Sequence, residues 1–113
     1  MKIIKTKIQI FNKSQNAFGP GKADLLVAIS HYGSISAAAK SMNMSYKRAW
    51  DLVTTMNEVF QQPLVTTQIG GSHGGGATVT PFGQNVLRLY QYAINNSERY
   101  IDAQMSDLLK LLN

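Results

Sequence analysis

The chain opens on a strict alternation. Ile4, Thr6, Ile8 and Ile10 fall on one side and Lys5, Lys7 and Gln9 on the other, the period of two expected of a half-buried strand. A strand is predicted over residues 2–11, with one packed face and one basic face. Asn12 to Gly21 then gathers Asn, Ser, Gly and Pro and reads as a loop. Leu25, Leu26, Ile29 and Tyr32 recur at helical spacing and predict a first helix over 21–33, with Gly33 supplying the left-handed residue that ends many helices. Ser34 can cap a second helix over 34–42, whose Ala37, Ala38 and Ala39 are small enough to let neighbouring helices approach, and Asn43 breaks it. Ser45 can cap a third helix over 45–61, with Ala49, Leu52, Val53, Met56 and Phe60 as its buried stripe and Pro63 as its stop.

Beyond Pro63 the pattern returns to strands. Leu64 to Ile69 and Ala77 to Thr80 flank the tip Gly70-Gly71-Ser72-His73-Gly74-Gly75-Gly76, which predicts a hairpin over 64–80. Thr80-Pro81 suits the start of a long last helix over 81–112, because Thr caps and Pro is preorganised for the first helical position. In that helix Leu87, Tyr90, Ile94, Ser97, Ile101, Gln104, Leu108 and Leu111 repeat at steps of three and four, the seam of a coiled coil interrupted at Ser97 and Gln104. So small a domain cannot bury the whole seam. A homodimer is expected, with Leu87, Tyr90, Ile94, Ile101, Leu108 and Leu111 in its interface; packing onto the chain's own first helix is the alternative use of the same stripe. The expected fold class is mainly α with a small β-hairpin wing, one domain over 1–113.

Composition narrows the chemistry. The 113 residues are 44% hydrophobic and 15% charged, which suits one small globular domain. The longest apolar runs fall well short of the roughly 18 residues of a membrane helix, so no membrane partner is expected. With no cysteine, disulfides, zinc fingers and thiol catalysis are excluded, and His31 and His73 stand alone without metal-ligand spacing. The start of the chain lacks the apolar core of a secretion signal, which suggests a cytoplasmic protein. Gly-Pro-Gly-Lys at 19–22 fails as a phosphate loop, because Asn16 and Ala23 stand where that pattern needs Gly and Ser or Thr. No nucleophile is paired with a base, so an enzyme is not expected.

Charge is unevenly divided. Residues 1–50 carry a net charge of +7 and residues 51–113 carry −2, an asymmetry that suits a polyanionic partner. The basic half also holds a short helix, a sharp turn and a longer helix beginning Ser45-Tyr46-Lys47-Arg48-Ala49-Trp50-Asp51. This is the pattern of a helix-turn-helix, and the hairpin after it has the pattern of a wing. A helix entering the major groove must start with side chains able to meet base edges and phosphates. Tyr46, Lys47, Trp50, Asp51 and Thr54 are expected on the exposed side of the third helix, since the core claims Ala49, Val53 and Met56. Lys47 and Arg48 are the leading candidates for phosphate or guanine contacts. Trp50 suits DNA contact and core packing equally well, and Asp51 either meets a base edge or orients Lys47 or Arg48 through an ion pair. Ser34 and Ser36 at a helix N-terminus, Lys40 on the outer side of the second helix, Ser45, and Ser72 and His73 in the wing tip complete the candidate contacts.

Several motifs together resemble a known family. Gly33-Ser34-Ile35-Ser36-Ala37-Ala38-Ala39, Met44 through Val53, Met56-Asn57, Pro63-Leu64-Val65 and Thr80-Pro81-Phe82-Gly83 are similar to the DNA-binding domain of the ModE family of molybdate-responsive bacterial regulators. More distantly they resemble the winged helices of LysR-type regulators. The resemblance implies a winged helix-turn-helix that binds palindromic double-stranded DNA as a homodimer, with the third helix in the major groove, the wing near the flanking backbone and a long C-terminal dimerisation helix. The family's molybdate-binding domains would lie beyond Asn113, so no cofactor is expected within these residues. The alternative is a winged helix without specific DNA readout that serves as a dimerisation or docking module.

Overall fold

The computed structural model describes residues 3–68 and 75–113. Strands β1 (Ile10–Asn12) and β2 (Gln15–Phe18) form a first antiparallel hairpin, followed by helices α1 (Pro20–Tyr32), α2 (Ile35–Ser41) and α3 (Tyr46–Val59). Strands β3 (Val65–Thr67) and β4 (Ala77–Val79) form a second hairpin, and α4 (Pro81–Leu109) follows it. Helix α1 lies at the centre, burying Ala23, Leu25, Leu26, Ala28 and Ile29 over a broad arc. Ala38 and Ala39 of α2 and Ala49 of α3 are almost fully buried, and their lack of bulk brings the two helices together at the turn.

An edge-to-face chain of rings holds the ends of the other elements. Phe18 of β2 meets Phe60 at 5.9 Å and Tyr90 of α4 at 5.0 Å, and Phe60 meets Phe82 at 6.4 Å. Such pairs add about 0.5–1.5 kcal/mol each beyond the area they bury. Phe60 has extended backbone angles and caps α3. The helix therefore ends at Val59 and not at the breaker Pro63, because Phe60 turns into this cluster.

The beginning of the chain departs from expectation. The segment predicted as one strand pairs only over Ile10–Asn12, and the expected loop contains β2. Lys13 and Ser14 form a two-residue turn with φ of 53° and 74°, the handedness a tight hairpin requires but usually obtains from Asn-Gly. The alternation itself persists. Ile4, Thr6 and Ile8 are half-buried while Lys5, Lys7 and Gln9 are exposed, although Ile10 faces solvent. The hydroxyl of Tyr90 donates to the carbonyl of Ile8 at 2.7 Å and ties this segment to α4.

Helix α4 serves two environments. Gly83, Leu87 and Tyr90 are buried in the chain's own core, while most residues beyond Tyr90 are exposed. The Cα radius of gyration of 16.9 Å and the longest extent of 58 Å exceed a compact domain of this size, for which about 13 Å is expected. The distal half of α4 projects from the body. Of the residues expected in the seam, Leu87 and Tyr90 pack within the chain, the alternative use of the stripe, and Leu111 lies past the end of the helix.

Candidate nucleic-acid interface

The turn between α2 and α3 is built from backbone geometry. Gly33 takes φ 78° and ends α1, its N–H donating to the carbonyl of Ile29 at 2.8 Å. Asn43 takes φ 55° and turns the chain out of α2. The side chain of Ser34 accepts from the N–H of Ala37 at 3.0 Å, and that of Ser45 accepts from the N–H of Arg48 at 3.1 Å. Each cap contributes about 1 kcal/mol. Each hydroxyl keeps its own proton as a donor, so capping and an outward hydrogen bond are compatible.

Ala49, Val53 and Met56 anchor the inner face of α3. Its outer side carries Tyr46, Lys47, Arg48, Trp50, Asp51 and Thr54, all exposed, and Ser36, Lys40 and Ser45 are exposed nearby. Trp50 is 43% exposed and Tyr46 54%. The core alternative for Trp50 is thereby removed. The two rings stack on each other with centroids 6.2 Å apart and planes inclined by 23°. Asp51 pairs with Lys47 at 3.2 Å. Exposed pairs of this spacing contribute little stability and open readily for another partner. Ser45, Lys47, Arg48, Asp51, Leu52 and Thr55 line a shallow groove of about 270 Å³ along one flank of the helix. Ser34 is half-buried at the start of α2, while Ser72 and His73 lie outside the described residues.

The hairpin after α3 is held along both outer edges. Thr80 N–H donates to the Leu64 carbonyl at 2.9 Å and Gln68 N–H to the Gly76 carbonyl at 2.8 Å. In an antiparallel ladder hydrogen-bonded pairs alternate, so the intervening Val65 and Ala77 turn their backbone groups outward. Ala77 N–H donates to the Gly33 carbonyl at 2.9 Å. On the other edge the Asn57 amide behaves like one peptide unit of a neighbouring strand. Its Nδ2 donates to the Val65 carbonyl at 2.9 Å, and its Oδ1 accepts from Leu64 N–H at 2.8 Å and Val65 N–H at 3.2 Å. The position of the hairpin is therefore set by the end of α1 and by α3 together. Asn57 was not singled out from sequence for any role of its own. Its signals in the sequence are its place in the Met56-Asn57 motif of the family resemblance and a polar residue, poor in helix propensity, beside the buried Met56.

Thr80 links the hairpin to α4. Its hydroxyl donates to the Pro63 carbonyl at 2.7 Å while accepting from Gly83 N–H at 2.9 Å. Gly83 packs directly on the Leu64 carbonyl, where a side-chain carbon has no room. Among the described residues no group of three or more His, Asp or Glu could hold a metal ion, and no helix is long and apolar enough to cross a membrane.

A short capped helix, a tight turn, a second capped helix with an exposed polar face, and a buttressed two-stranded hairpin define a winged helix-turn-helix. The chain belongs to the family described as bacterial regulatory helix-turn-helix proteins of the lysR family, whose pattern matches residues 22–84. It is 42% identical over 81 residues to the molybdenum-pterin-binding protein MopB of Rhodobacter capsulatus, covering 72% of this chain and 30% of that protein. It is 38% identical over 88 residues to the DNA-binding transcriptional dual regulator ModE of Escherichia coli K12, covering 78% of this chain and 34% of ModE. The resemblance to ModE read from the motifs thus extends across most of these residues. The chain spans about a third of the length of these curated relatives. Among solved structures, ArgP from Mycobacterium tuberculosis shares the fold, with a TM-score of 0.53 and 22% identity over 75% of this chain and 30% of that one.

Proposed function

We propose that this chain is a sequence-specific DNA-binding transcriptional regulator that acts as a homodimer on a palindromic operator. The observation that carries the reading is the outer face of α3, where Tyr46, Lys47, Arg48, Trp50, Asp51 and Thr54 stand exposed on a helix fixed by its opposite side. That face enters the major groove. Lys47 and Arg48 meet phosphate or guanine, Lys40, Ser34 and Ser36 meet the backbone, and the wing with Ser72 and His73 lies on the flanking backbone. The family membership and the names of the relatives support DNA as the partner. The reading assigns no catalytic role and no cofactor to these residues, and its setting is the cytoplasm.

The dimer forms along the projecting half of α4. Ile94 and Ile101 are half-buried within one chain, and Met105 and Leu108 extend the same stripe at spacings of four and three. Ile94 is partly covered by the chain's own core, whereas Met105 and Leu108 stand exposed, and a second copy supplies the missing cover. Two heads held this way present two α3 helices to successive turns of one duplex, about 34 Å apart.

Selection of bound sites from random duplex DNA tests binding, half-site spacing and symmetry together. A titration of the selected duplex then compares wild type with the Lys47→Ala, Arg48→Ala double variant. The double variant is expected to bind more weakly and to lose about one unit of log–log salt slope per phosphate contact removed. Failure to enrich any duplex above competitor, with no effect of the double variant, refutes the proposal. Capture of a protein partner that survives nuclease and high salt would then favour a docking module.

A further inference from the structure

We propose that the stacked pair Tyr46 and Trp50 is an apolar reading surface for the C5-methyl group of thymine, so that each operator half-site requires thymine opposite it. The inference rests on the reading of α3 as the helix that enters the major groove. Two large rings stand on the water-facing side of that helix, 54% and 43% exposed. They lie almost parallel, with centroids 6.2 Å apart, so they form one continuous apolar surface along the first turns. Single exposed aromatic residues are ordinary, but two stacked side by side make a contiguous apolar patch, the kind of feature that marks an interaction surface.

The surroundings decide which partner. Lys47 and Asp51 form an ion pair on the same face, Arg48 flanks it, and Thr54 continues it one turn further on. An apolar surface framed by basic groups suits a polyanion that carries apolar features of its own. In the major groove the base edges present hydrogen-bond donors and acceptors, and the single apolar feature among them is the thymine methyl. Lys47, Arg48, Asp51 and Thr54, with the Tyr46 hydroxyl and the Trp50 indole N–H at the ring edges, can satisfy the polar edges, whereas the ring faces have only the methyl to match. The stack also holds Trp50 against Tyr46 before binding, so less rotamer freedom is lost on contact.

The test replaces thymine by deoxyuridine, one position at a time, in the duplex selected by wild type. This removes a methyl group and leaves every hydrogen bond in place. At one or two positions per half-site the wild type is expected to lose about fourfold in affinity for each methyl removed, the factor that corresponds to one buried methylene-sized group. Trp50→Ala is expected to bind thymine and deoxyuridine duplexes equally, and Trp50→Phe, which keeps an aromatic face, to restore part of the difference. Trp50 lies outside the core, so both variants remain folded, which circular dichroism verifies before titration. If wild type binds its selected duplex tightly but ignores every replacement, the methyl reading is wrong while DNA binding stands. If the replacements weaken wild type and Trp50→Ala to the same degree, the methyl is read by other side chains and the proposal fails. Equal or tighter binding to single-stranded homopolymer, lost in Trp50→Ala, would make the pair a base-stacking platform instead. If no duplex is bound above competitor, both readings fall.

Discussion

Replacing Asn57 by leucine keeps the branched heavy-atom skeleton, with two bulkier methyl groups, and removes the amide. Three backbone groups then lose their partner: the N–H of Leu64, the N–H of Val65 and the carbonyl of Val65. The two Val65 groups cannot turn to β4, because the ladder places them on its outer edge. A polar group stripped of its partner costs about 1–3 kcal/mol when buried. Leu64 and Val65 are almost fully buried, but the bonds themselves are only partly so, and water reaches some of what is freed. A total of about 3 kcal/mol is therefore expected, a large share of the roughly 5–15 kcal/mol that stabilises a domain. For a chain of this size that corresponds to a fall in Tm of about 12 °C. Asn57→Asp keeps an acceptor for the two N–H groups and loses the donor to Val65, so it should fall between wild type and leucine. Thermal and urea unfolding followed by circular dichroism measure both. A leucine variant that melts within a degree or two of wild type would refute the claim that this amide joins α3 to the hairpin.

Gly83→Ala sets the new carbon against the Leu64 carbonyl, 2.9 Å from Val79 Cγ1. Overpacking of about 1–3 kcal/mol outweighs the better helix propensity of alanine, and Tm should drop by roughly 4–8 °C in a thermal melt. Tyr90→Phe removes the hydrogen bond to Ile8 and should cost about 1 kcal/mol at neutral pH. Burial, and then the negative charge of Asp24, hold the Tyr90 hydroxyl above its ordinary pKa of 10.0. The folded chain thus keeps this proton longer than the unfolded one. Its contribution is fully present below pH 10.0 and is lost as pH rises through the raised value, so the gap between wild type and Tyr90→Phe should narrow in alkaline melts. Ile101→Glu puts two unpaired carboxylates into the proposed dimer seam and should weaken self-association by at least about tenfold in sedimentation equilibrium, leaving the Tm of the monomer nearly unchanged.

The elements best read from the chain were those whose signal is local. Gly33 and the caps Ser34, Ser45 and Thr80 act on backbone groups within a few residues, so type and spacing suffice to find them. β2 escaped because its turn uses Lys13 and Ser14 at positive φ, residues with no strong preference for it. Trp50 was undecided because an aromatic residue suits core and surface recognition alike, and its exposure depends on how α3 rolls against α2. The apolar stripe of α4 has one period whether it faces its own domain or another chain, so the division after Tyr90 needed the third dimension. The Asn57 joint spans eight residues through a side chain and leaves no periodic trace.

The rooting of α4 has a mechanical consequence. Its first turns are clamped by Thr80, by the close seat of Gly83 on Leu64, and by Tyr90, and the same peptide, between Leu64 and Val65, is held through its N–H by the joint that reaches α3. A continuous helix of 29 residues is about 43 Å long, so a tilt of about 5° at the root sweeps the far tip by roughly 4 Å. Read in reverse, this is a reducing gear: coarse motion at the tip arrives at α3 as a fine adjustment of angle. In the proposed dimer, whatever holds the tips of the two helices thereby sets the aim of both heads.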